Sequence, residues 1–161
     1  MRIEVEGLDK LLAQLAMITD RDYVIQGTKE VIGEQVKTVE QEAKYNCPVD
    51  TGQLRNSIES EVEVKGNKIT GIVSTNCEYA PYVEFGTGIV GEATRPQGAR
   101  RITYRPDGWW YFDEETEQFI YTIGQPAQPY LYPALKNNEE EIGEELKKGI
   151  MNIIKEAIKK W

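Results

Sequence analysis

Hydrophobic positions in the first part of the chain recur at helical spacing. Residues 2–6 alternate and predict a short strand, and residues 8–18 carry one apolar face, which predicts a helix. A second apolar face predicts a longer helix over residues 22–46. Its apolar positions are Val24, Val31, Ile32, Val36, Val39 and Ala43. The side expected to face solvent carries Glu34, Lys37, Glu40, Gln41 and Lys44.

The helical pattern stops at residues 47–58, which read Cys-Pro-Val-Asp-Thr-Gly-Gln-Leu-Arg-Asn-Ser-Ile. Pro48 lacks an amide donor and disfavours a helical residue before it, so the helix should end there. Asp50 or Thr51 can cap a short new turn through Leu54, and Gly52 supplies backbone freedom beside the cap. The segment is therefore predicted to be a corner between a helix and a sheet.

Alternating positions then predict two hairpins. The first pairs residues 58–64 with 68–74 around Gly66-Asn67. The second pairs residues 109–112 with 118–123 around an acidic turn at 113–117. Between them, residues 89–108 are rich in Gly, Pro and Arg, and most of this segment is expected to be an exposed loop.

A proline-punctuated extended segment precedes a final helix, in whose first turn Pro133 fits well. Acidic residues crowd the first half of this helix and lysines its second half, as the helix dipole favours. Its apolar stripe comprises Leu135, Ile142, Leu146, Ile150, Ile153, Ala157 and Trp161. The pattern predicts an α+β fold, an antiparallel sheet of hairpins packed by long N-terminal and C-terminal helices, in a single domain over 1–161.

Composition narrows the function classes. The net charge of −8 argues against a general nucleic-acid binder, and no apolar run approaches the ~20 residues that cross a bilayer. The N-terminus lacks the pattern of a signal peptide, so we expect a cytoplasmic chain with Cys47 and Cys77 as reduced, buried thiols. A disulfide between the two cysteines is the alternative.

The absence of histidine removes the commonest general base and the commonest metal ligand. Gly86-Thr87-Gly88 lacks the lysine of a phosphate-binding loop, and the cysteines do not form paired metal-ligand spacings. We therefore predict no catalytic residues, no metal and no cofactor. The carboxylates at 113–117, beside Trp109 and Trp110, resemble a glycosidase pair only weakly, since paired catalytic carboxylates come from rigid, separated elements.

Two further features point to contacts. Glu84 lies in an aromatic stretch and needs a partner, for which Arg55 is the candidate. The second feature combines arginines with aromatic residues, a composition enriched at protein interfaces, although both tryptophans could instead fill the core. Contact of the arginines with DNA is a lesser alternative. The residues concerned are Arg95, Arg100, Arg101, Arg105, Trp109, Trp110 and Tyr111.

Three segments together resemble the tailed-bacteriophage gene-product-ten-like tail-component family, which acts at the neck or tail-completion position. They are residues 47–58, residues 79–87 (Tyr-Ala-Pro-Tyr-Val-Glu-Phe-Gly-Thr) and residues 129–135 (Pro-Tyr-Leu-Tyr-Pro-Ala-Leu), and residues 3–11 also fit the family's opening. The matching positions are Pro48, Asp50, Thr51, Gly52, Leu54, Arg55, Ser57, Tyr79, Ala80, Tyr82, Glu84, Phe85, Gly86, Thr87, Pro129, Tyr130, Leu131 and Pro133. Residues 89–123 form a variable insert that the resemblance does not explain.

The resemblance implies a non-enzymatic virion protein, assembled in the bacterial cytoplasm into a ring in the neck or at the tail end. Its partners would be further copies of itself and neighbouring neck, connector, tail-tube or terminator proteins, with no membrane and no specific nucleic acid. Such a ring needs two different complementary patches on each subunit. The arginines and aromatics of the insert would form one, and either strand 58–64 or the acidic half of the last helix the other. The alternatives are a terminator-type cap, a host adaptor or DNA-associated module, and a small carbohydrate-active enzyme.

Overall fold

A computed structural model describes residues 2–4, 21–66, 68–96 and 102–159 of the chain. The helix predicted over residues 8–18 lies outside these ranges. The described elements, in chain order, are β1 (Arg2–Glu4), α1 (Arg21–Asn46), α2 (Gln53–Asn56), β2 (Ile58–Lys65), β3 (Lys68–Thr75), α3 (Ala80–Phe85), α4 (Gly88–Ala93), β4 (Trp109–Asp113), β5 (Gln118–Thr122) and α5 (Leu131–Lys159).

The described strands form two antiparallel sheets. In the first, β3 lies between β1 and β2, so β2 is an edge strand that pairs along its whole length with β3 from Ile58↔Thr75 to Lys65↔Lys68. The second sheet is the two-stranded hairpin of β4 and β5. Both predicted hairpins and the predicted α+β class are therefore confirmed.

Helix α1 packs against α5 and against the face of the three-stranded sheet. The approach to the sheet is close, because a Cβ added at Gly71 of β3 would lie 2.3 Å from Cγ1 of Val36. Most predicted apolar positions of both helices are buried, while Trp161 lies outside the described residues. The buried core of these elements comprises Val24, Ile32, Val36, Val39, Ala43, Ile58, Ile69, Val73, Ile142, Leu146, Ile150 and Ala157.

Three local predictions need comment. The loop prediction is wrong for Gly88–Ala93, which forms α4. Residues 124–130 are extended as predicted, and Pro133 lies in the first turn of α5. Within the described ranges, no helix combines the length and apolar character that a bilayer-spanning segment needs.

Glu40 contradicts the prediction that it faces solvent, because it is buried between α1 and β2. Its carboxylate accepts hydrogen bonds from Lys37 (2.8 Å), Lys44 (2.7 Å) and Ser60 (2.5 Å). Burial alone would raise the pKa of Glu40, but these three donors outweigh it and lower the pKa from 4.5 to about 2. The charged carboxylate therefore joins the helix to the edge strand.

Replacing Glu40 with glutamine is expected to lower the free energy of unfolding by about 2–3 kcal/mol at neutral pH, since each unit of pKa shift corresponds to about 1.36 kcal/mol. Because the folded pKa is the lower one, this contribution is complete above pH 4.5 and is lost as the pH falls towards 2. Urea unfolding of both proteins at several pH values measures the difference, which should shrink on acidification. A difference that stays constant with pH would contradict the assignment, and the exposed Glu34→Gln variant is the control.

Candidate assembly interface

Two of the three motif segments meet at Glu84, which is buried in α3. Its Oε2 accepts the backbone N–H groups of Tyr130 (2.8 Å) and Leu131 (2.9 Å), and its Oε1 accepts that of Tyr132 (2.8 Å). The first amides of a helix have no acceptor within the helix, and its positive dipole end favours a carboxylate. Glu84 therefore fixes the start of α5 against α3.

The prediction that Arg55 is the partner of Glu84 is wrong, because backbone amides occupy both oxygens of the carboxylate. Arg55 is exposed on α2 and acts on Cys47 instead. Burial raises the pKa of the Cys47 thiol, and the Arg55 guanidinium opposes that rise without cancelling it. Cys47 and Cys77 are both buried, free thiols.

The corner at residues 47–58 is built differently from the prediction at its cap. The N-cap of α2 is Gly52, in the left-handed conformation with φ of 83°, and no side chain caps the helix. Thr51 accepts only a long hydrogen bond of 3.4 Å from the amide of Gln53. At the other end, the Ser57 hydroxyl hydrogen-bonds Thr75 Oγ1 at 2.6 Å, which ties the corner to the end of β3.

A second junction joins α3 and α4 to the extended segment before α5. The amide of Thr87 donates to the carbonyl of Gln125 (2.9 Å), and the amide of Gln128 donates to that of Val83 (2.8 Å). The backbones lie so close that a Cβ at Gly86, whose φ is 71°, would lie 2.7 Å from the Gln125 carbonyl oxygen. A Cβ at Gly124 would lie 1.9 Å from the Thr87 carbonyl oxygen. Glycine is therefore required at both positions.

An aromatic groove of about 660 Å³ lies between this junction and the insert. Tyr104 forms one wall, and its hydroxyl donates to the carbonyl of Phe85 at 2.9 Å. Arg105 stands over the ring of Trp109, with its Cζ 5.6 Å from the ring centroid. The groove is lined by Pro81, Tyr82, Phe85, Gly86, Thr87, Gly88, Ile102, Thr103, Tyr104, Arg105, Trp109 and Gln125. Arg105 is the charged residue of that lining, so the groove is apolar with a positive charge at its edge.

The β4–β5 hairpin exposes an entirely aromatic face. Pairing places Trp110 opposite Tyr121 and Phe112 opposite Phe119, so these four side chains share one face. The ring centroids of each pair are 5.3 Å apart. Their exposed fractions are 66% for Trp110, 53% for Tyr121, 50% for Phe112 and 70% for Phe119. We call these four residues the aromatic face.

This exposure decides one question that the sequence leaves open. Trp110 does not fill the core, and Trp109 is half-buried at the groove on the opposite face of the hairpin. The predicted division of neighbouring tryptophans between two faces is therefore correct. Isolated two-stranded hairpins are marginal in water, so an aromatic face of this kind indicates a surface that a partner covers.

The similarity to known proteins supports a phage origin. A family model described as "Bacteriophage HK97-gp10, putative tail-component" matches residues 9–86. Over residues 9–86, the chain is HK97-gp10-like. No curated protein and no solved structure shows a significant match to the chain. The predicted resemblance is thus confirmed for the segment that contains α1, the corner, the first sheet's hairpin and α3.

The HK97-gp10-like segment divides its motif residues between packing and surface. Gly52, Leu54, Ala80, Glu84 and Gly86 are buried. Others that the sequence singled out are exposed, namely Asp50, Thr51, Arg55, Tyr79 and Tyr82. Pro48, Ser57, Phe85 and Thr87 are intermediate. Beyond the match, Tyr130 is fully buried, and Pro129, Leu131 and Pro133 are half-buried around it.

The predicted interface residues lie outside the HK97-gp10-like segment, and the structure brings part of them together. Arg105 and Trp109 meet at the groove, Trp110 is on the aromatic face, and Tyr111 is exposed on the other face of the hairpin. Arg95 is exposed and lies near Tyr104, whose pKa is raised by burial and lowered in part by Arg95. Arg100 and Arg101 lie outside the described residues.

Sequence reasoning missed Phe112, Phe119 and Tyr121 as interface candidates, although the alternation of both strands could have placed them on the face of Trp110. The acidic turn at 113–117 is the tip of this hairpin, with Glu114, Glu115 and Glu117 exposed. Among the described residues, no three Cys, Asp or Glu side chains cluster in a way that could hold a metal ion.

Proposed function

We propose that this chain is a non-enzymatic structural subunit of a tailed phage, prophage or phage-tail-like particle, where it forms part of the head–tail neck or tail-completion ring. The family match supports the tail assignment, since the matching family is described as a tail component. The observation that carries the proposal is the exposed aromatic face, because a monomer has no use for four half-exposed aromatic rings on an isolated hairpin.

The partners in this proposal are other copies of the chain and the neighbouring neck, connector, tail-tube or terminator proteins. The virion is its final location. A terminator-type cap at the tube end is the nearest alternative, and it would use the same kind of surface. A carbohydrate-active enzyme receives no support from the turn at 113–117, because its carboxylates share one exposed tip and not two rigid, separated elements.

Electron microscopy of particles induced from the source strain, with and without this gene, tests the proposal. We expect the deletion to yield separate heads and tails, or tails with an unfinished upper end. Complementation with the intact gene should restore joined particles. Normal joined particles in the deletion strain would overturn the proposal.

A further inference from the structure

The tip of the aromatic hairpin and the aromatic groove are complementary in charge and in chemistry. The tip combines the exposed Phe112 and Phe119 with the carboxylates of residues 113–117, and the whole hairpin from 109 to 122 contains no lysine or arginine. The groove combines aromatic walls with Arg105, and Arg95 lies beside it near Tyr104. Glu92 is the acidic residue that acts on Tyr104, so the vicinity retains a net positive charge.

The tip of a chain cannot occupy that chain's own groove. Trp109 lines the groove at the base of the hairpin, whereas the tip begins at Asp113, four residues along an extended strand. At about 3.3 Å per residue, the two points are about 13 Å apart and are held apart by the pairing of β4 with β5. Any tip that enters the groove must therefore come from another molecule.

We infer that the tip of the β4–β5 hairpin in one copy of this chain inserts into the Arg105 groove of the next copy. This inference rests on the proposed function and specifies one of its contacts. The contact joins two different surfaces, so it is head-to-tail and can close a ring when the rotation permits. It places Phe112 and Phe119 against aromatic walls and the carboxylates of the tip beside Arg105 and Arg95.

The chain's other acidic surfaces fit the groove less well. The outer side of β2 exposes Glu59 and Glu61, and the first half of α5 exposes Glu140 and Glu141. Neither surface carries an aromatic pair between its carboxylates, so either would bring charge without filling the groove. Glu59 and Glu61 also lie on an edge strand, where charges serve to prevent unwanted strand pairing.

A charge-swap experiment tests the contact. The tip-reversed variant is Glu114→Lys with Glu115→Lys, and the groove-reversed variant is Arg95→Glu with Arg105→Glu. Self-association of each full chain is measured by sedimentation velocity over a concentration series at low salt. We expect the wild type to associate, and each variant alone to associate at least about tenfold more weakly, because like charges then face each other across the contact.

Mixing the two variants gives the decisive result. In an equimolar mixture the positive tip meets the negative groove and the negative tip meets the positive groove, so association should return to within about threefold of the wild type, or about 0.6 kcal/mol. The controls Glu59→Lys with Glu61→Lys and Glu140→Lys with Glu141→Lys carry the same charge change and should associate like the wild type. Thermal unfolding verifies that every variant is folded.

Several outcomes would overturn the contact: a wild type that stays monomeric at every concentration, a mixture that stays as weak as its components, or controls that weaken association equally. The particle experiment separates these failures from a failure of the proposed function. If the deletion blocks joined particles but the tip-reversed gene restores them, the structural role stands and the contact is wrong. If the deletion leaves joined particles intact, the proposed function is wrong whatever the solution result.

Discussion

Replacing Glu84 with alanine is expected to lower the free energy of unfolding by about 4 kcal/mol and the melting temperature by about 10 °C. The substitution removes the acceptor of three backbone amides at the start of α5, at a site from which water is excluded. Hydrogen bonds to a charged group contribute about 1.5–3 kcal/mol each, and the sum is reduced because the three share one carboxylate. Thermal and urea unfolding followed by circular dichroism measure the loss.

Two further variants isolate the cause. Glu84→Gln keeps the size of the side chain and one acceptor oxygen but turns an amide group towards a backbone N–H, so we expect a loss between those of wild type and alanine. Glu78→Ala removes an exposed carboxylate close by in the sequence and should change stability by less than about 0.5 kcal/mol. A loss below about 1 kcal/mol for Glu84→Ala would contradict the role of this carboxylate in holding α5.

The contrast between predicted and observed carboxylates shows how far sequence patterns reach. Helices α1 and α5 and both hairpins could be predicted because their apolar periodicity is local and extends over many residues. Glu40 and Glu84 could not be placed, because a periodic pattern assigns every carboxylate to solvent. Their partners come from elements distant in sequence: Ser60 for Glu40, and the backbone amides at the start of α5 for Glu84.

Helix α4 escaped prediction for a related reason. Its segment contains Gly88 and Gly91, and the intrinsic helix propensity of glycine is low. The helix is positioned by tertiary contacts, including the bond from the amide of Ile89 to the carbonyl of Ile123. Similarly, strand alternation could assign Trp109 and Trp110 to opposite faces, but it could not decide whether another layer of this chain covers each face. The exposure of the aromatic face supplies that answer.

Replacing Trp110 and Phe119 together with serine is expected to abolish self-association while leaving the α1–α5 core intact. Both side chains are at least two-thirds exposed, so their removal costs the monomer little core packing. Buried aromatic anchors at an interface each contribute about 2 kcal/mol or more, and 2 kcal/mol corresponds to about a thirtyfold change in affinity. Sedimentation velocity measures the association, and far-ultraviolet circular dichroism of thermal unfolding reports on the helical core.

The matched control is Tyr45→Ser, which removes an aromatic side chain that is 89% exposed on α1, away from the hairpin. It should associate like the wild type. Because serine also removes the Trp110–Tyr121 and Phe112–Phe119 ring contacts within the hairpin, Trp110→Tyr with Phe119→Tyr tests whether aromatic surface is the cause. This pair keeps the rings and should recover most of the association. Full association of the serine variant would mean that the aromatic face has no partner in a second copy. Loss of core stability together with association would mean that the hairpin belongs to the monomer's own fold.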